Sequence, residues 1–200
     1  MSHAIEFFDR QFERQAAARE YALNPFEQAV LLHLGGKVLD FGCGMGNLSM
    51  ALAHKGCDVT AVDASPHGVD DLARRAAGEG LSIRAVAADA EQYAPEHGFD
   101  AIACIGLLMF FDCVTACAIL ARLRAALRPG GVMAFNVLIE GTTFMGMFDP
   151  ARHCLWRREE IAAAFVGWKT IYAADTEFPA TEGTVKRFHT LVARAPVANS

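Results

Sequence analysis

Residues Val38-Leu39-Asp40-Phe41-Gly42-Cys43-Gly44-Met45-Gly46 run from an apolar stretch into a turn with glycine at alternate positions, immediately before a helical pattern. Glycine lacks a Cβ, so it accepts positive φ and lets a ligand approach the backbone. The amides that open the next helix then offer donors to a polar group. Such a turn implies a large ligand lying against it. A dinucleotide fingerprint starting at Gly42 would need glycine at position 47, which is Asn47 here. The spacing therefore disfavours NAD and an oxidoreductase reading.

From Lys37 onward, short apolar runs alternate with longer helical patterns, as in a parallel sheet covered by helices on both faces. Strands are expected at 37–41, 58–62, 82–87, 101–105 and 132–137, and helices at 47–55, 66–78 and 113–127. Ser65 and Pro66 suit the N-cap and first position of the second of these helices, and Arg128-Pro129-Gly130-Gly131 suits a stop after the third. Upstream, 5–22 and 26–34 read as helices in which Phe12 and Tyr21 are placed to form a lid. Downstream, 157–165 reads as a helix, and 170–176 with 184–194 as an antiparallel hairpin. No repeat or linker divides the chain, and 195–200 reads as a small tail. It is expected to be one domain over 1–200, with N-terminal helices in 1–35, a ligand-binding core in 36–138, and an insert plus hairpin in 139–195.

The stretch from Asp40 to Gly46 resembles the signature of class I S-adenosylmethionine-dependent methyltransferases, an acidic residue followed by alternate glycines. The resemblance continues through Asp63 at the end of the second strand and Ala88-Asp89-Ala90 after the third. It extends to Phe99-Asp100-Ala101-Ile102-Ala103-Cys104 and Leu127-Arg128-Pro129-Gly130-Gly131-Val132, spanning about 37–138. It implies a Rossmann-like α/β fold, seven strands in a mostly parallel sheet with the last strand antiparallel. The cofactor it implies is S-adenosyl-L-methionine, with S-adenosyl-L-homocysteine as product. The implied cofactor contacts are Asp40, Gly42, Cys43, Gly44 and Gly46 at the methionine end, Asp63 on the ribose and Asp89 with Ala90 at the adenine, together with Ala64, Cys104 and Ile105. By this resemblance the chain is an enzyme, and the alternative is a binding module that keeps the pocket without turnover.

Leu108-Met109-Phe110-Phe111, the segment near Phe148, and Val185-Lys186-Arg187-Phe188 resemble the tellurite-resistance methyltransferases, which act on small chalcogen oxyanions and related soft nucleophiles. Asn47-Leu48 stands where that family has Arg-Asn, and Ala180-Thr181 where it has His-Arg. An oxyanion pocket needs cations, and Arg152, His153, Arg157, Lys186, Arg187 and His189 are the candidates. Motif position singles out Arg187 as the catalytic residue. Phe144, Met145, Met147, Phe148 and Trp156 are expected to wall the acceptor site, in a loop punctuated by Gly141 and Gly146. A thiol, amine or hydroxyl of a small metabolite is the alternative methyl acceptor.

Charge narrows the partners. Lys and Arg number 18 against 23 Asp and Glu, a net charge of −5, with no basic run. Nucleic acid is therefore not expected as a partner. Ser2, His3, Ile5, Glu6 and Asp9 lack the basic-then-apolar layout of a secretory signal. Asp112 is the one charge in 101–120, but Gly106 interrupts that run, which reads as a strand and then a helix rather than a membrane span. A cytoplasmic monomer or homodimer is expected. The six cysteines, Cys43, Cys57, Cys104, Cys113, Cys117 and Cys154, show no C-x-x-C spacing. They are read as reduced core residues with no metal site, Cys113 and Cys117 being neighbours on one helix face.

Overall fold

A computed structural model of the chain describes residues 3–197, with side chains from Phe8 onward. Ser2 of the N-terminal reading and 198–200 of the tail lie outside the described residues, as do the side chains of His3, Ile5 and Glu6. In chain order the elements are α1 (His3–Ala18), α2 (Pro25–Leu31), β1 (Lys37–Phe41), α3 (Asn47–His54), β2 (Asp58–Asp63) and α4 (Pro66–Gly78). They continue with β3 (Ile83–Ala87), β4 (Phe99–Ile105), α5 (Cys113–Ala126), β5 (Leu127–Leu138), α6 (Arg158–Ala164), β6 (Lys169–Pro179) and β7 (Val185–Arg194). The expected stop at Arg128-Pro129-Gly130-Gly131 instead lies inside β5, where the pairing with β4 shifts register between Phe99 and Ala101.

The sheet order is β3-β2-β1-β4-β5-β7-β6. Strands β1 to β5 pair in parallel, while β7 runs antiparallel to both of its neighbours. This is the mostly parallel seven-stranded sheet the sequence predicts. Alternation along each strand feeds two cores. Leu39, Phe41, Ile102, Phe135 and Val137 pack with Ile119 and Leu123 of α5 and with Trp156 and Ile161. On the opposite face Val38, Ala101, Ala103 and Ala134 meet Val30 of α2 and Leu48 and Leu52 of α3. Helix α4 joins that second face through Leu72 and Ala76 against Ala61.

Local chemistry sets the helix starts that matter. Asn24 accepts from the amides of Phe26 and Glu27 at 2.9 Å each, while Glu27 accepts from the Asn24 amide at 2.8 Å. This reciprocal cap starts α2. Ser65 caps α4, accepting from the Gly68 amide at 3.1 Å ahead of Pro66, and Asp112 caps α5 through Thr115.

The cysteine reading is corrected. Cys113, at the start of α5, and Cys154, before α6, form a disulfide with 4.8 Å between their Cα atoms across 41 residues of sequence. Cys43 and Cys104 are free and buried, Cys57 is half-buried, and Cys117 is exposed. Pairing at that separation depends on how the loop before α6 returns to α5, which local spacing does not encode. Disulfides are commonest in oxidising surroundings. No helix among the described residues is long and apolar enough to cross a membrane.

Candidate active site

The C-terminal ends of β1 to β5 open on a cavity of about 1180 Å³, whose lining includes Phe8, Gln11, Phe12 and Gln15 of α1. Gly42, Gly44 and Gly46 all take left-handed φ, of 80°, 54° and 67°. The amides of Gly42 and Cys43 donate to the Val62 carbonyl at 2.8 and 3.0 Å, tying the turn to β2. A Cβ on Gly42 would sit 2.9 Å from Leu107, and one on Gly44 would sit 3.0 Å from the Phe12 ring. Both glycines and Cys43 line the cavity. Gly46 does not. It opens α3, and a Cβ there would lie 2.5 Å from Leu72.

Asp63 closes β2 with one carboxylate oxygen accepting from the Gly44 amide at 2.8 Å and the other from the Ser65 amide at 2.9 Å. Burial pushes its pKa up, and those backbone donors pull against the rise. Asp89 accepts from the Glu91 amide at 2.8 Å. Asp63, Ala64, Asp89, Ala90 and Ile105 all line the cavity. Asp40 and Cys104 lie behind its wall, 3% and 0% exposed. The Asp40 carboxylate accepts from the Ser49 hydroxyl at 2.6 Å.

Burial pushes the Asp40 pKa up to about 7, with the nearby Glu27 and Asp63 charges adding to the rise. The folded chain therefore holds a proton that the unfolded chain releases near pH 3.8, and stability falls as pH rises through that window. Between pH 5 and 7 the loss is about 2 kcal/mol from this group. Asp40→Asn keeps an oxygen for Ser49 and is expected to flatten that part of the stability–pH curve in denaturant titrations. An unchanged slope would show that Asp40 ionises as an ordinary carboxylate.

Helix α1 is fastened to the start of α4. Asp9 accepts from the Ser65 hydroxyl and pairs with His67 Nδ1 at 2.6 Å, which raises the His67 pKa. Phe8 and Phe12 stack on one another, and both line the cavity. Tyr21, expected in the same lid, instead lies under the Arg75 guanidinium at 4.2 Å and donates to Asp71.

The structure does not bring Arg187 to the cavity. Its guanidinium pairs with Glu177 on β6 at 2.7 Å, and a Cβ on Gly141 would lie 2.7 Å from it. Of the aromatic and methionine stretch, only Met147 lines the cavity. Trp156 is buried against Phe135, Phe148 packs on Phe110 and His153, and Phe144 lies under the Lys186 ammonium. His189 pairs with Asp175, and Arg157 with Glu140. Arg152 alone among the candidate cations lines the cavity, and its guanidinium is paired with Glu91. The described lining otherwise carries Glu20, Glu27, Asp63, Asp89, Glu91 and Asp149. Acidic side chains outnumber basic ones among the described lining residues. Glu27, Asn136 and Phe26 are lining residues that sequence reasoning missed, although Asn136 is visible as a lone polar residue in the apolar run of β5. Among the described residues, no group of three His, Cys, Asp or Glu is placed to hold a metal ion.

Residues 38–131 match the family model of a methyltransferase domain. Hemagglutinin 1 of Eikenella corrodens is 36% identical over 139 residues, covering 68% of this chain and 44% of that protein. A ubiquinone biosynthesis O-methyltransferase of Xanthomonas axonopodis pv. citri is 33% identical over 124 residues, 59% of this chain and 51% of that protein. The chain thus spans about half the length of these curated relatives. Among solved structures, TehB from Haemophilus influenzae superposes with a TM-score of 0.73 at 19% identity, covering 87% of this chain and 62% of that one. The N-methyltransferase NodS of Bradyrhizobium japonicum, in complex with S-adenosyl-L-homocysteine, gives 0.67 at 18% identity, covering 94% and 98%. These structures share the fold.

Proposed function

The chain carries a class I S-adenosylmethionine-dependent methyltransferase domain, and from that premise we propose that it transfers the methyl group of S-adenosyl-L-methionine to a small neutral or basic acceptor. One observation carries the reading. The glycine turn after β1, Asp63 at the end of β2, and Asp89 with Ala90 after β3 line one cavity in the order in which methionine, ribose and adenine would lie.

The residues present fit that cofactor. Added Cβ atoms would fill the cradle at Gly42 and Gly44. Asn47, at the start of α3, lines the cavity with its Oδ1 buried and without a partner, an acceptor suited to the ammonium of the methionine end. Each Asp63 oxygen takes one backbone amide and keeps a lone pair for a ribose hydroxyl. A dinucleotide would instead bring its pyrophosphate against a wall of carboxylates.

The cofactor supplies a methyl group already activated by its sulfonium. The chain has to align the acceptor and exclude water, a contribution of about 7–11 kcal/mol where alignment is good. Phe8 and Phe12 line the cavity from α1, which the Asp9 contacts hold to α4. A chalcogen oxyanion fits this wall poorly, because Arg152, the one guanidinium among the described lining residues, is already paired with Glu91. A hydroxyl or amine acceptor fits it, in line with the O- and N-methyltransferases among the similar proteins.

Calorimetric titration of the full chain tests the assignment. S-adenosyl-L-homocysteine is expected to bind at micromolar concentration and NAD not at all. The reverse result would sink the reading.

A further inference from the structure

Asn136 is a polar side chain in an apolar place. It sits near the end of β5 on the sheet face of Val132, Ala134 and Leu138, and it is 0% exposed. A carboxamide buried there is costly unless each polar atom is paired. Its Nδ2 donates to the Thr190 hydroxyl of β7 at 2.9 Å and lies 3.5 Å from the His189 carbonyl oxygen. A carbonyl only accepts, so it fixes which end of the amide faces β7. Oδ1 is left buried with no partner.

Five buried side-chain polar atoms lack partners among the described residues, and two of them belong to residues that line the cavity. Both are carboxamide oxygens. Asn47 Oδ1 stands beside the glycine turn, in the half that suits the cofactor. Asn136 is on β5, two strands away from β1 in the sheet. The same cavity is lined by Phe26 and Glu27 of α2, Met109 and Phe188, and Phe188 lies two residues from Thr190 on β7. Phe26 and Phe188 pack together with ring centroids 4.6 Å apart, forming an apolar wall. That half of the cavity thus offers a buried hydrogen-bond acceptor, a carboxylate and aromatic rings.

We propose that Asn136 recognises the methyl acceptor, its Oδ1 receiving an N–H or O–H from a ring-bearing amine or hydroxyl compound that rests against Phe26 and Phe188. The assignment builds on the methyl-transfer reading and narrows its substrate class. Asn136 holds the acceptor and takes no proton. A ligand without a donor leaves the orphaned oxygen unpaired, which is the stronger basis for rejection in a buried site.

The test replaces both partners of the internal hydrogen bond with apolar groups of similar shape, Asn136→Leu with Thr190→Val. Removing an unsatisfied oxygen in this way is expected to leave the thermal midpoint of the ligand-free protein unchanged or to raise it by about 2–4 °C. S-adenosyl-L-homocysteine affinity should stay within about twofold. Ligand-observed NMR on protein saturated with S-adenosyl-L-homocysteine then compares phenol with anisole and aniline with N,N-dimethylaniline. In the unaltered protein the donor-bearing member of at least one pair should bind about fivefold tighter, and the double variant should lose that preference. A fall in the midpoint would make Asn136 a structural tether and overturn the proposal. So would equal binding within both pairs, or a preference that survives the substitutions. Failure of S-adenosyl-L-homocysteine to bind the unaltered protein would instead remove the methyl-transfer reading itself.

Discussion

Alanine at position 68 is expected to weaken S-adenosyl-L-homocysteine binding by at least about tenfold, while the fold itself survives. Helix propensity alone predicts the opposite kind of change, since Gly to Ala inside a helix stabilises by about 0.5–1 kcal/mol. The contact decides. A Cβ on Gly68 would lie 2.5 Å from the carbonyl oxygen of Gly44, and that partner is backbone, so it cannot swing aside like a side-chain tip. Relief has to come from the turn or from the start of α4. The Gly44 amide donates to Asp63 at 2.8 Å, and Ser65 caps α4 while also donating to Asp63 from its own amide. Either movement disturbs the glycine turn and the Asp63 carboxylate together, and a displacement near 1 Å at such a site costs about a hundredfold in rate. Gly78→Ala, in the same helix where an added Cβ meets nothing within 4 Å, is the control. It should stabilise slightly and leave binding alone. Calorimetry and thermal melts on the two variants distinguish the outcomes, and equal affinities would refute the contact argument.

Reducing the Cys113–Cys154 disulfide is expected to lower stability by about 4 kcal/mol. The crosslink closes a loop spanning 41 residues of sequence, and chain-entropy arguments assign about that much to removing such a constraint from the unfolded state. In melts this amounts to a midpoint about 8–16 °C lower with reductant. The same loss should follow from Cys113→Ser. Cys117→Ser changes an exposed free thiol and should change nothing. The bridge also fixes the segment that carries Met147, Asp149 and Arg152 into the cavity wall. Reduction should therefore disturb acceptor selection while S-adenosyl-L-homocysteine affinity holds, because the glycine turn, Asp63 and Asp89 belong to other strands. A melt insensitive to reductant would contradict the crosslink.

The half of the cavity assigned to the cofactor was legible because its signals are local. The turn after β1, the Ser65–Pro66 start of α4 and the acidic ends of β2 and β3 each need only a few neighbouring residues to be read. The acceptor half depends on contacts between distant segments. Arg187 stands in the expected motif, yet its register places it opposite Glu177 on β6, and that neighbour takes the guanidinium. Trp156 and Phe148 look like pocket walls in sequence and prove to be core, since an apolar residue carries no mark of which cavity it faces. Gly46 looks like a ligand contact but is required by Leu72, and Gly68, with no motif around it, touches the turn directly. Asn136 was visible as an interruption in β5, but its meaning depends on Thr190 and His189, 54 and 53 residues away.

Strand β7 enters the sheet between β5 and β6, so β6 pairs with nothing until β7 has been made. On the ribosome, β1 to β5 emerge in an order that lets each find a neighbour already present. The eleven residues of β6 wait as an unpaired edge, exposed to wrong partners. Strand β7 therefore performs three tasks at once: it pairs the inner edge of β6, it supplies Thr190 to Asn136, and it delivers Phe188 to the cavity. Chains halted before β7 would already hold the glycine turn, Asp63 and Asp89 but would lack Phe188 and Thr190, so under the proposed reading the methyl-donor end of the cavity is built before the acceptor end is complete.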